Sequence, residues 1–382
     1  MPRTENPEII CAILEILAPK GGGGQLVFSC PTKIYSGEGA LDVLKTFSAG
    51  RVLVVTDRYF SQSGKAMELG SLVPGAQVEI FDRVEPDPSA ELVAQGSGLC
   101  ARFQPDLLIA LGGGSPMDCA KGIRLASPHP MTFVAIPTTA GSGSEVTSFS
   151  ILTHQGVKQV LVDPLLRPDV AILDKQLLDA LPRSLLADTG MDLLAHALEA
   201  VVATKRTGFT DALATYAVSA VLDDLLSAWQ GDMAVRGRLQ ECATMAGLAF
   251  DHSGLGLCHA VAHVLGGAFH LPHGRLCAMI LPAVIACNAP AAGTAYARLA
   301  GACGIEGATE KLRIRNLQQT IIRLRTAMAM PATLEQAGIP PEEVEARREK
   351  LVEDILADGC CGTNPVPVTA RLAEQVLKAV TR

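Results

Sequence analysis

The sequence predicts an α/β N-terminal domain built on a mainly parallel sheet, followed by an all-helical C-terminal domain. Three observations predict it. Four short apolar runs, 51–57, 77–81, 106–111 and 132–137, alternate with helical stretches, and runs apolar on both faces belong to strands covered by helices on both sides. After Pro182 such runs vanish, and 191–202, 212–229 and 236–250 carry helical spacing instead. The chain's 382 residues, 48% of them hydrophobic, suffice for two moderate cores.

Residues 1–24 stand apart from these domains, which span 25–182 and 183–382. Asn6, Pro7 and Glu8 read as cap, first-turn proline and first-turn acid, and Ile9, Ile10, Ile13, Leu14 and Leu17 form one helical stripe. Pro19 ends this helix and Gly21 to Gly24 read as a flexible tether. A helix this short is marginal alone in water, but its stripe suits folding against a partner surface. The alternative is packing on the protein's own surface or across an oligomer interface.

The run 51–57 ends on Asp57, where a carboxylate can accept hydrogen bonds from both ribose hydroxyls of an adenosine and would repel a 2′-phosphate. That favours NAD over NADP, although a solvated turn aspartate is the plainer reading of this residue alone. Gly112-Gly113-Gly114-Ser115-Pro116 follows the run 106–111 and opens a helix, so backbone N–H groups and the positive helix end would face a pyrophosphate. A tight strand-to-helix turn explains the segment equally well, and it is not the Gly-x-Gly-x-x-Gly fingerprint. A second segment of small residues, 137–147, also follows a strand, and its hydroxyls and glycines permit close approach by a polar ligand.

In the helical half, Asp192 and His196 are four residues apart, which puts a carboxylate and an imidazole on one face, a turn apart. His259 and His263 repeat the spacing, and His273 follows in a Pro-His-Gly loop. Five potential ligands of one divalent metal thus gather in a chain of eight histidines. Mixed Asp/His ligation suits Fe²⁺, Zn²⁺, Mn²⁺ or Co²⁺, and spacing does not separate His259 from His263 as the ligand. His154, His252 and His270 lack such context and read as structural or surface residues.

Composition excludes several classes. Net charge is −7 with basic residues scattered, so no stripe matches a nucleic-acid backbone. No run approaches a membrane span, and no signal-type segment opens the chain, which predicts a cytoplasmic protein. Eleven dispersed cysteines without a Cys-x-x-Cys pair read as reduced thiols rather than a disulfide framework or structural zinc site.

From about Pro31 to its end the chain resembles the iron-containing (group III) alcohol dehydrogenases. The resemblance rests on 112–116, 137–145, 189–196, 254–263, Leu-Pro-His-Gly at 271–274 and Thr-Asn-Pro at 363–365. Within the family, 33–39 and 266–273 are most similar to the propanol dehydrogenases of propanediol-utilising bacterial microcompartments, with the ethanolamine-utilisation alcohol dehydrogenases close behind. The resemblance implies the iron alcohol dehydrogenase, or dehydroquinate synthase-like, fold with its active site in the cleft between domains. It also implies Asp192, His196, His259 and His273 as metal ligands, Fe²⁺ foremost and Zn²⁺ second, and His263 as proton relay. Gly113, Gly114 and Ser115 are assigned to the pyrophosphate, Thr138, Thr139, Ser142 and Lys158 to the cofactor, and Asp57 to its ribose. Two departures stand out: Arg275 and Cys277 follow His273 where relatives usually carry a small residue and an asparagine, and Phe149 replaces an asparagine of some members.

The implied reaction is reduction of a short-chain aldehyde by NADH to its primary alcohol. The metal acts as Lewis acid, and the alkoxide is expected to be protonated through water, His263 or a ribose hydroxyl of the cofactor, a step for which an imidazole is suited. Alternatives are a polyol dehydrogenase or a synthase on the same scaffold, and a non-catalytic microcompartment-binding protein. A homo-oligomer, expected as a dimer, and a microcompartment shell or cargo protein bound through residues 5–18 complete the expected partners. The latter would place the enzyme inside a microcompartment.

Overall fold

The computed structural model describes residues 27–154 and 157–382. The apolar stripe and tether of residues 1–24 lie outside them. The described residues make two compact units, Ser29–Ala180 and Leu181–Arg382, the latter joined by residues 27–28.

The first unit holds strands β1 Lys33–Ser36, β2 Arg51–Val55, β3 Gln77–Phe81, β4 Leu107–Gly112, β5 Thr132–Pro137, β6 Phe149–His154, β7 Val157–Val162 and β8 Val170–Leu173. Six of them form a parallel sheet in the order β1-β8-β5-β4-β2-β3, while β6 and β7 pair antiparallel as a separate hairpin. Side chains alternate across each strand, and the sheet is covered on both faces. Leu53, Val55, Leu108, Ala110, Phe133 and Ala135 enter one core with residues of the helices α3 Ala90–Phe103 and α4 Gly114–Ala126. Val52, Val54, Leu107, Ile109, Val134 and Ile136 enter the other, beneath a 3₁₀ turn at Ala40–Thr46 and the helix α2 Lys65–Ser71, which follows the short α1 Arg58–Gln62. Every residue of β4 is buried, whereas β1, at one edge, is exposed throughout. The register pairs Gly112 with Pro137, so the loops that leave β4 and β5 emerge side by side at the carboxyl ends of the strands.

The expected strands 51–57, 77–81, 106–111 and 132–137 are β2 to β5, ending within two residues of the readings. The reading missed β1, β8 and the β6–β7 hairpin. β1 and β8 are four residues each, too short for a period, and none of β1's side chains is buried.

The second unit is helical: α5 Arg183–Val202, α6 Gly208–Gln230, α7 Arg236–Ser253, α8 Leu257–Phe269, α9 His273–Ala302, α10 Glu310–Ala327, α11 Pro341–Ala346, α12 Arg348–Ala357 and α13 Ala370–Thr381. α5 is buried at every residue from Gly190 to Val202, as a helix apolar all round must be. A Cβ at Gly190 would lie 2.2 Å from Leu225 Cδ1, so this glycine sets how closely α5 and α6 approach. α9 is long and apolar enough to cross a membrane by length and composition alone, but it is mostly buried in this unit and carries Pro282, Pro290 and a buried Asn288.

Candidate functional site

Three helices of the second unit converge on one carboxylate. α5 contributes Asp192 and His196 from adjacent turns, α8 contributes His259, and α9 opens with His273. From Asp192 Oδ1, His273 Nε2 lies at 3.4 Å, His259 Nε2 at 3.7 Å and His196 Nδ1 at 3.8 Å. Four donors about 2.1 Å from a tetrahedral ion sit about 3.4 Å from one another, and the three distances from Asp192 lie close to that edge. His259 is 1% exposed, and its Nε2 is buried without a hydrogen-bond partner, which fits an atom that waits for an ion. Carboxylate and imidazole donors match a divalent first-row metal.

The close approach of α9 to α5 depends on Gly274. A Cβ there would fall 1.8 Å from the Asp188 carbonyl oxygen and 3.1 Å from Asp192 Cβ. Arg275 spans the same junction, with Nε and one terminal nitrogen donating to Asp188 at 3.2 and 2.9 Å. That gives one of the two departures from the family pattern a structural role.

Glu199, which the sequence reading passed over, holds His259 in place. It is 2% exposed, and its carboxylate accepts from the backbone N–H groups of Gly256, Cys258 and His259 at 3.0, 2.6 and 3.3 Å and from His259 Nδ1 at 2.6 Å. One side chain therefore caps α8 and turns Nε2 of His259 towards Asp192, the carboxylate–imidazole arrangement that orients metal ligands. The signal was present, since Glu199 follows Asp192 and His196 at i+7 and i+3 on the same helix face. The Thr-Asn-Pro segment supports the same turn. Asn364 Oδ1 accepts from Leu257 N at 3.1 Å, and Thr363 Oγ1 donates to Leu255 O at 2.6 Å.

Burial alone would raise Asp192, but the charges of His196 and His273 and the His259 imidazole outweigh it and hold the carboxyl well below the usual range. Burial likewise works against protonated His259, yet the Asp192 and Glu199 carboxylates lift it to about 10. So concentrated a negative charge demands a positive partner, either protons or a cation.

His263 lies a turn beyond His259, its ring stacked on His273 with centroids 5.2 Å apart. Its Nδ1 donates to Asp358 Oδ2 at 2.9 Å, a partner 95 residues away. Burial pushes Asp358 up, but the His263 contact and the Cys360 backbone N–H bring it down to about 2. Phe250 stacks on His196 with centroids 4.5 Å apart. The histidines read as structural do other work: His252 donates from Nδ1 to Leu248 O at 2.8 Å, and His270 takes the left-handed position that ends α8.

In the first unit the two glycine-rich loops meet. Gly112 has φ +149°, and a Cβ on it would lie 2.4 Å from Pro116 Cγ, so the turn into α4 requires glycine. A Cβ on Gly113 would come within 3.3 Å of Thr139, and one on Gly114 within 3.6 Å of Ser142. Ser115 lies in the first turn of α4, whose N-cap, Gly113, makes no side-chain cap, so the open helix end faces the second loop. Thr138 is buried, its N–H bonded to Gly112 O at 3.0 Å. The buried Lys121, unnoticed in the sequence, pins the far side of this loop by donating to Ser144 Oγ, Thr147 Oγ1 and Phe149 O at 2.8, 2.9 and 2.6 Å. Asp57 caps α1, accepting from Phe60 N at 3.1 Å, and Lys158 pairs with Asp87 at 2.7 Å.

A parallel sheet with an open helix end at its carboxyl edge, in a chain that also presents a buried carboxylate ringed by imidazoles, is the layout of a metal- and dinucleotide-dependent enzyme. The model of the iron-containing alcohol dehydrogenases matches residues 31–175, and that of the C-terminal domain of the Fe-containing alcohol dehydrogenase family matches 186–381. The chain belongs to the iron-containing alcohol dehydrogenase family. It is 40% identical to the 1-propanol dehydrogenase PduQ of Salmonella typhimurium over 92% of this chain and 98% of that one. It is 36% identical to the NADPH-dependent butanol dehydrogenase of Clostridium saccharobutylicum over 88% and 93%. Among solved structures, the sulfoacetaldehyde reductase of Bifidobacterium kashiwanohense in complex with NAD⁺ superimposes with a TM-score of 0.84 at 25% identity, covering 94% of this chain and 99% of that one.

Proposed function

We propose that the protein reduces a short-chain aldehyde, propionaldehyde or acetaldehyde, to its primary alcohol with NADH. The observation that carries this reading is the convergence of His196, His259 and His273 on Asp192, with His263 beside them. A divalent ion held by those four residues supplies Lewis-acid polarisation of a carbonyl oxygen, and reduced nicotinamide supplies the hydride. Glu199 commits Nδ1 of His259, which leaves Nε2 to the ion. Asp358 likewise commits Nδ1 of His263, so Nε2 is the atom from which this residue can pass a proton to the oxygen that becomes the alcohol. In this reading Gly113, Gly114 and Ser115 present backbone N–H groups to the pyrophosphate, and Thr138, Thr139, Ser142 and Lys158 serve the cofactor.

Asp57 supports NADH over NADPH because a ribose 2′-phosphate set against its carboxylate would be repelled. The butanol dehydrogenase relative, named as NADPH-dependent, makes this choice worth testing. Steady-state oxidation of NADH and NADPH with two- to four-carbon aldehydes, after Fe²⁺ loading, tests both substrate and cofactor. NADH is expected to be preferred, with the gap narrowed in Asp57→Gly. A wild-type preference for NADPH, or no turnover with any of the aldehydes, contradicts the reading.

The resemblance of 33–39 and 266–273 to the propanol dehydrogenases of microcompartments, together with the apolar stripe of residues 5–18, also supports a place in a microcompartment. A fluorescent reporter fused to residues 1–24 is expected to gather in microcompartments. A diffuse reporter, together with loss of stability when the segment is deleted from the enzyme, would assign the stripe to the enzyme's own packing.

A further inference from the structure

Cys277 stands one turn beyond His273 on α9, and its sulfur faces the same centre. Sγ lies 3.7 Å from Asp192 Oδ1 and 3.7 Å from His273 Nε2. The residues whose donor atoms all lie within 4.8 Å of one another are Asp192, His259, His273 and Cys277, with His196 outside that set although its ring stacks on His259 with centroids 4.3 Å apart. Sulfur bonds a divalent ion at about 2.3 Å, so a sulfur and a nitrogen or oxygen donor on one tetrahedral ion are separated by about 3.6 Å. The two Cys277 distances match that edge. His259 Nε2, buried and without a hydrogen-bond partner, points into the same centre.

We propose that Cys277 is a ligand of the metal in this protein, its thiolate standing with Asp192, His259 and His273 as one donor set around the ion. The sulfur–metal bond forms as the S–H bond breaks, with the proton passing to solvent. A soft donor selects among divalent ions in a way that carboxylate and imidazole do not. The inference rests on the reading that these helices hold a metal, and it adds a donor that the sequence spacing did not suggest. A thiol that only donates a hydrogen bond to Asp192 is the competing role, and it predicts no metal–sulfur bond.

The test is the absorption spectrum of the full-length protein loaded with Co²⁺, with bound cobalt measured independently. The wild type is expected to bind one Co²⁺ per chain and to show a near-ultraviolet sulfur-to-cobalt charge-transfer band. Cys258→Ser, which removes the neighbouring thiol whose Sγ donates to Cys277 O, is expected to keep the band. Cys277→Ser and Cys277→Asn are expected to lose it. Stoichiometric cobalt in the wild type without the band, or a band that persists in Cys277→Ser, overturns the thiolate while leaving the Asp/His site intact. Failure of the wild type to bind cobalt overturns the metal site itself. Because the wild-type spectrum decides first, a variant that misfolds does not obscure the result.

Discussion

His259 and His263 are neighbours on one helix face, four residues apart, yet the fold gives them different partners. Glu199, 60 residues away, takes Nδ1 of one, and Asp358, 95 residues away, takes Nδ1 of the other. That is why residue spacing could find the pair but not divide its labour: the deciding contacts are non-local. It follows that Glu199→Gln should lower metal affinity by about 10- to 100-fold, the usual effect of losing a carboxylate that orients a ligand, as read by metal analysis after dialysis against a weak chelator. Unchanged metal retention would show that Glu199 serves only to cap α8. At His263 the expectation differs. His263→Ala should keep its metal and lose roughly 10²-fold in turnover, and Asp358→Asn should lower kcat more than it changes KM. Full turnover in His263→Ala would remove the imidazole from the proton path.

At the scale of elements, the stretches 191–202, 212–229 and 236–250 were legible as helices because their spacing persists over several turns; β2, β4 and β5 were legible because their residues are mostly buried between two helical layers, and β3 because it alternates at the sheet edge. β1, β8 and the β6–β7 hairpin were not, since four-residue strands carry too little pattern and an outlying hairpin resembles loop. The junction of α5 with α9 was half legible. The Pro-His-Gly sequence marked a loop, but only the packing reveals that Gly274 lies against the Asp188 backbone. Gly274→Ala must push α9 away from α5, at a cost of about 1–3 kcal/mol for overpacking and with His273 drawn off Asp192. Calorimetry and metal analysis of one preparation should therefore show a lower Tm and a lower metal content together. A destabilised variant that retains its full metal would separate the junction from the site.

For the whole molecule, each of the two units carries its own candidate site. The sheet of the first brings two small-residue loops together at the carboxyl ends of β4 and β5, and the buried helices of the second concentrate negative charge and imidazoles around Asp192. Neither site required a long-range guess at the sequence level, because each loop or spacing is local. What the sequence withheld was the set of supporting residues, namely Glu199, Asp358 and Lys121, whose roles exist only once distant segments meet. The central claim is that this cluster holds one divalent ion on which NADH-dependent aldehyde reduction depends. Anaerobic titration of chelator-treated enzyme with Fe²⁺, following propionaldehyde-dependent NADH oxidation, tests it most directly. Activity should start near zero, rise in proportion to added metal and level off at one ion per chain, with no rise in His259→Ala. Full activity in the chelated enzyme, or a rise that survives in His259→Ala, would contradict the account.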